Sequence, residues 1–266
     1  MYTDLYSLEK NQKLYAFIQS FINANRHLEP DVIFKEIWEE LSAQNIFDKY
    51  TDNKTVEGQK YFFTPYQLNF KQYILLLICT SFYFSGMNFI PRVIPQNKSL
   101  IEELSKVTKS FLVVMVHDGF AHGSSVFQKM GRPISMIGDQ ESIKDAIKKS
   151  GLQAKVNIIS PNQFALAFLQ ERIKYQEILA CNVDFRVSRG AQSGIYQYIS
   201  PALFKFAILN NIPIIYTRGF VNKDGSVNLF LRKGSDYLNE SDLAIEFIKF
   251  INEIDDNQRI LSVRKF

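Results

Sequence analysis

Cysteine, histidine and tryptophan are scarce in this 266-residue chain, with two, three and one of each. Two cysteines, Cys79 in an apolar run and Cys181 near a strand start, suit a reducing compartment and two buried thiols better than a disulfide framework, so the chain is expected to be cytoplasmic. His117 and His122 lie five apart with no third ligand nearby, so no metal is expected. Glycine (12) and proline (8) are too few, and internal repeats are missing, for a collagen-like or low-complexity chain. The net charge of +4 comes from lysines scattered among acids, without the Lys/Arg run that follows a phosphate backbone, so there is no strong nucleic-acid signal. The start, MYTDLYSLEKNQK, has neither a basic segment leading into an apolar one nor an Arg-rich amphipathic pattern, so a removable targeting segment is not expected. Long apolar runs are absent too. The uncharged stretch Tyr73 to Ile90 has an apolar part of only about a dozen residues, where a span needs roughly 20. A buried element is the favoured reading there, and membrane contact the alternative.

What is present is enough apolar material, 46% of residues, to fill a sizeable core. Up to residue 108 the spacing is helical: Leu14, Phe17, Ile18, Phe21 and Ile22, then Ile33, Ile37, Trp38 and Leu41 after a Pro30-Asp31 start signal. Residues 46 to 60 are polar and read as a loop, and a second element follows from Tyr61 to Ile90. Ser99 and Glu102 form a capping box for a short helix to about Val107.

From residue 109 to 266 the rhythm becomes short apolar runs alternating with amphipathic segments, as βα units present themselves. Five runs predict strands: Phe111 to Val116, Pro133 to Ile137, Val156 to Ile159, Val183 to Val187 and Ile212 to Tyr216. Helices are predicted over Glu141 to Lys149, Asn162 to Ala180 and Pro201 to Leu209, with a last one entered through Asn239-Glu240-Ser241. The expected architecture is an α/β, doubly wound, mostly parallel five-stranded Rossmann-like sheet over 109–266, preceded by a mainly helical region over 1–108. Ligands of such sheets bind at the carboxyl ends of the strands, so polar residues there carry the functional reading.

After the first run comes His117-Asp118-Gly119-Phe120-Ala121-His122-Gly123, the densest polar cluster in the chain. Its glycines would let backbone approach a phosphate, while Asp118-Gly119 also suits a plain turn. After the second run comes Gly138-Asp139. After the fourth comes Ser188-Arg189-Gly190-Ala191-Gln192-Ser193-Gly194, a cation among small residues and hydroxyls, fitting a pyrophosphate or a sugar. Arg186 needs a partner if buried, and Asp184 on the same face supplies one. Thr217-Arg218-Gly219 adds a second cation after the fifth run. Neither G-x-G-x-x-G, a Walker loop nor G-x-S-x-G occurs, and Cys181 opens a strand in this reading, so covalent catalysis is disfavoured.

The series V-H-D-G-F at 116–120, I-S-M-I-G-D at 134–139, F-R-V-S-R-G-A-Q-S-G at 185–194 and N-I-P-I-I-Y-T at 211–217 resembles the nucleotide-sugar half of GT-B-type glycosyltransferases acting in surface-polysaccharide synthesis. The similarity covers roughly 105 to 235. It implies a nucleoside-diphosphate sugar as substrate with no metal, Arg189 or Arg218 at the diphosphate, the Ser193-Gly194 amides assisting, and His117 or Asp118 as base. The first hundred residues lack a second Rossmann-like half, so an acceptor domain would be reduced, replaced or absent. The other readings are a non-catalytic subunit whose aromatic residues cover a protein partner, and another nucleotide-processing α/β enzyme.

Overall fold

The computed structural model describes residues 8–44, 54–56, 59–61, 70–87, 89–116, 124–138, 140, 144, 156–186, 197–236, 238–254 and 261–263. Among them are eight helices: α1 (Leu8–Ala24), α2 (Pro30–Ala43), α3 (Phe70–Phe84), α4 (Lys98–Lys106), α5 (Ser124–Gln128), α6 (Ala165–Lys174), α7 (Ala202–Leu209) and α8 (Glu240–Ile254). The strands are β1 (Lys54–Val56), β2 (Gln59–Tyr61), β3 (Val93–Pro95), β4 (Leu112–Met115), β5 (Ile134–Ile137), β6 (Val156–Ile159), β7 (Ile178–Asn182), β8 (Asp184–Arg186), β9 (Gln197–Ile199), β10 (Ile214–Val221), β11 (Val227–Lys233) and β12 (Leu261–Val263). The fold is mixed α/β around a seven-stranded sheet of order β3-β11-β10-β4-β7-β5-β6. In it β10, β4, β7, β5 and β6 run parallel, while β11 is antiparallel to β10 and carries β3 beside it.

Both faces of this sheet are covered, which is why β4 is apolar at successive positions instead of alternating. Leu112, Val114, Leu179, Cys181, Ile214 and Tyr216 meet α6, α7 and α8 on one face. Phe111, Val113, Ile134, Ile178, Ile215, Leu229 and Leu231 meet α4 and α5 on the other. A third core joins α1, α2 and α3 through Ile18, Ile22, Phe34, Ile37, Ile78 and Phe82, and it includes Val221 and Val227 from the far end of the β10–β11 hairpin. The helical layer is therefore built onto that hairpin. Gln72 of α3 makes the join: its side-chain amide donates to the Val221 carbonyl at 2.9 Å and accepts the Val221 N–H at 3.0 Å, imitating a strand residue. At the hairpin turn Gly225 has φ +75°, and a Cβ there would lie 2.6 Å from the Phe89 ring, so the position needs glycine on both counts.

Two polar clusters fix the amino ends of the strands. Arg132 donates to the carbonyls of Val107 (3.0 Å), Lys109 (3.0 Å) and Gln176 (2.9 Å) and lies over the Phe111 ring. Glu177, buried, accepts from Ser135 and from Asn157 (3.0 Å) and faces Arg172 at 3.7 Å. A buried carboxylate held this way is satisfied, not exposed to a ligand.

Several sequence expectations change. The parallel strand predicted at Val183 to Val187 is instead Ile178–Asn182, and Asp184–Arg186 joins β9 and β12 in a separate three-stranded sheet. The helix predicted to run from Asn162 to Ala180 stops at Lys174, because Gln176 takes φ 57°, the left-handed turn for which glycine is the usual signal. The cap of α4 is Asn97, whose side chain accepts the Leu100 N–H at 3.1 Å, and not Ser99, whose hydroxyl binds Asn97. A two-stranded ribbon, β1 with β2, occupies part of the segment predicted as loop. The starts of α2 at Pro30 and of α8 after Asn239 agree with the sequence, and the Asn239 carboxamide accepts from Ser241 N and Asp242 N. The helix predicted over Glu141 to Lys149 lies largely outside the described residues.

The Tyr216 hydroxyl, on the α8 side, donates to Glu246 at 2.7 Å, and Ser235 donates to the same carboxylate through its hydroxyl (2.6 Å) and its N–H (3.1 Å). Partial burial pushes the Glu246 carboxyl up, but the bonds from Ser235 and Tyr216 and the nearby Arg232 charge outweigh it, and its pKa is lowered. A lowered folded-state pKa means stability present above the unfolded value and lost as pH falls through the folded one. Glu246→Gln is expected to melt below the wild type at pH 7, with the gap closing as pH drops below the ordinary value of about 4.3; a pH series of thermal melts reads this. Val114→Asp, at a fully buried site of the central strand, is expected to abolish the cooperative melt.

Candidate functional site

The crossover leaving β4 returns to the sheet through α5, whose Val126 and Phe127 pack on the α4 side. The crossover leaving β7 passes through α7, whose Leu203, Phe204, Phe206 and Ala207 pack on the opposite side. Since β4 and β7 are adjacent and their connections depart over opposite faces, their carboxyl ends form a topological switch point, the position where open α/β sheets take ligands.

The register shows which residues stand at this edge. Met115 pairs with Asn182, and the Val183 N–H donates to the Met115 carbonyl at 2.9 Å, so Val116 and Asp184 lie at the rim. On the other side of β4, Tyr216 pairs with Val114, which sets Thr217 and Arg218 level with the end of β4. Gly138 follows β5 and extends its ladder with β6 by donating to the Ile159 carbonyl at 3.1 Å. The structure thus brings Gly138, Thr217 and Arg218 to one edge of the sheet. His117, Asp118, Gly119, Asp139, Arg189, Gly190, Gln192, Ser193 and Gly194 lie outside the described residues.

Thr217 and Arg218 stand in a strand and not in the loop predicted after Tyr216. β10 runs on to Val221 because β11 pairs with it along its length, Arg218 opposite Phe230, long after β4 has ended. The Thr217 hydroxyl donates to the Val114 carbonyl at 3.2 Å. Arg218 is 1% exposed, with its guanidinium carbon 4.9 Å from the Phe220 ring centre. Its charge acts from beneath the edge, not as an open surface cation. Asp184 is buried as well, and the expected Asp184–Arg186 pair lies outside the described side chains.

Asn182, at the end of β7 opposite Met115, stands at this edge without having been picked out in the sequence. Its signal was the run Ile178 to Cys181, hidden because no glycine or proline separates it from α6. Cys181 is the fourth residue of β7 and does not open a strand; burial, then the Asp184 charge, pushes its thiol up to about 12. Cys79 is also held at about 12, by burial. A cleft of about 410 Å³ lies at the hairpin turn, lined by Asp31, Phe89, Ile90, Arg92, Asp224 and Ser226 among others. Two carboxylates and one arginine, the latter paired with Asp224 at 3.6 Å, make it a poor receptor for a diphosphate. Among the described residues no cluster of His, Cys, Asp and Glu could hold a metal, and no helix is long and apolar enough to cross a membrane.

The chain matches no family model and no curated protein.

With both thiols buried and protonated, neither is a nucleophile at neutral pH. Alkylation with iodoacetamide at pH 8 is expected to leave Cys79 and Cys181 unmodified in the native protein and to label both in denaturant, as read by intact mass.

Proposed function

We propose that the chain binds a nucleoside-diphosphate sugar at the carboxyl edge of β4, β7 and β5, on a Rossmann-like, doubly wound sheet, and acts as a metal-independent, glycosyltransferase-like protein. The observation that supports this most is the topological switch point between β4 and β7, whose connections leave over opposite faces of the sheet. The segments that resemble a nucleotide-sugar site continue from Val116, Gly138 and Arg186, and the first two of these residues lie at the carboxyl edge that borders it. In this reading Arg189 meets the diphosphate, with the amides of Gly190, Ser193 and Gly194 beside it and Gln192 within the same segment. Gly119 permits close backbone approach, and Gly138-Asp139 faces the sugar. His117 or Asp118 takes the proton of the acceptor hydroxyl as its oxygen bonds to the anomeric carbon, and the sugar–diphosphate bond breaks with the electron pair leaving on the diphosphate. Burial makes Arg218 a supporting charge and Arg189 the better direct ligand.

A second reading, a non-catalytic subunit of a larger assembly, draws on a different observation. Thr217, Arg218 and Asp184 are all buried at this edge, while Phe84, Phe164, Phe168 and Tyr175 are exposed. Ligand binding separates the two. Under the first reading, a thermal-shift screen against nucleoside diphosphates, their sugars and NAD gives stabilisation by one nucleotide class. At 100 times the dissociation constant this is about 2.7 kcal/mol, a shift of several degrees for a chain of this size. The shift disappears in Arg189→Ala, whose own melting point is unchanged. A flat response to every ligand moves the weight to the subunit reading.

A further inference from the structure

On the face of the seven-stranded sheet covered by α4 and α5, alternate residues of each strand line up in rows across the register. One row is Ile215, Val113, Ala180, Met136 and Ile158, apolar all the way from β10 to β6. Two residues further along each strand, at the carboxyl edge, the row becomes Thr217, Met115, Asn182, Gly138 and Ser160. Polarity changes within that single step. Met115 and Asn182 are the last pair of the β4–β7 ladder, and Gly138 carries β5 on beside them.

The opposite face is closed at this edge. There Val116, Val183 and Arg218 are buried, whereas Met115, Asn182 and Gly138 are only partly covered. A ligand at the switch point therefore finds its open side over α5 and not over α7. Within the open row Thr217 already donates its hydroxyl to the Val114 carbonyl at 3.2 Å. Asn182 accepts from the Cys181 Sγ through its main-chain carbonyl at 3.1 Å, but its carboxamide has no hydrogen-bond partner among the described residues. Neither flanking residue, Met115 or Gly138, offers it a side-chain N–H or O–H.

We infer that Asn182 is the residue that binds the sugar part of the ligand, accepting from one hydroxyl and donating to its neighbour, and that the sugar is a neutral hexose. This rests on the reading that a nucleoside-diphosphate sugar occupies the edge, in which Gly138-Asp139 faces the sugar and Gly138 adjoins Asn182. A carboxamide sets an acceptor and a donor side by side and carries no charge, so it suits adjacent hydroxyls and adds nothing for the diphosphate. Met115 and Met136, both partly covered, give the C–H face of the ring an adaptable apolar floor. Gly138 puts no side chain into the space next to the carboxamide.

Isothermal titration of the full chain tests this, with UDP, GDP, ADP and dTDP, each bare and as its glucose conjugate, and with GDP-mannose and UDP-N-acetylglucosamine. The expected result is one nucleotide whose hexose conjugate binds about tenfold more tightly than the bare diphosphate, the gain from one or two neutral hydrogen bonds. Asn182→Ala should lose that gain and keep the affinity for the bare diphosphate. Asn182→Leu, which keeps the volume without the hydrogen bonds, should behave alike, and both should melt as the wild type does. Should folded variants retain the preference for the conjugate, the assignment of Asn182 is overturned while the nucleotide-sugar reading stands. Loss of bare-diphosphate binding in them, or a wild type that gains nothing from any sugar, overturns the assignment as well. A wild type that binds none of these compounds overturns both.

Discussion

The β10–β11 hairpin is the element on which the rest of the molecule depends. β10 has eight residues, of which β4 pairs with only three, while β11 pairs with it from Ile215 to Val221 along the other edge and Gln72 holds the backbone of Val221. The same strand supplies side chains to all three cores: Ile214 and Tyr216 to one face of the sheet, Ile215 to the other, and Val221 to the helical layer. Backbone pairing and apolar burial are thus satisfied together, which is the condition for a strand to extend so far past its parallel neighbour.

The hairpin also explains why the edge that carries the candidate site is asymmetric. On one side of β4 the chain stops at Asn182 and turns into a smaller sheet; on the other it continues as a wall bearing Arg218, Phe220 and Phe230 on one face. That wall holds Arg218 buried beside the end of β4, with its guanidinium over the Phe220 ring.

Fold class and most elements were legible in the sequence because they rest on strong local signals: Pro30 at a helix start, Asn239 before α8, uninterrupted apolar residues in β4. What was not legible has specific causes. Gln176 performs a turn that glycine usually marks, so β7 was absorbed into the preceding helix and its place in the sheet was given to Val183 to Val187. Asn97 and Ser99 are both good capping residues two positions apart, and pattern alone favours the one with a glutamate three residues on. At the site, sequence singled out Thr217 and Arg218 as strand-end residues. That β10 continues through them depends on β11, a partner whose pairing no local pattern announces. Asn182 was missed for the same reason as β7.

The Gln72 amide has a consequence for how the molecule comes apart. Because a helix side chain takes the place of a neighbouring strand at Val221, peeling α3 away would bare the N–H and C=O of a strand end flanked by apolar Val221 and Val227. A chain shortened through α3 would then carry a template for pairing with strands of other molecules, and its failure would show as aggregation rather than as a clean loss of helix.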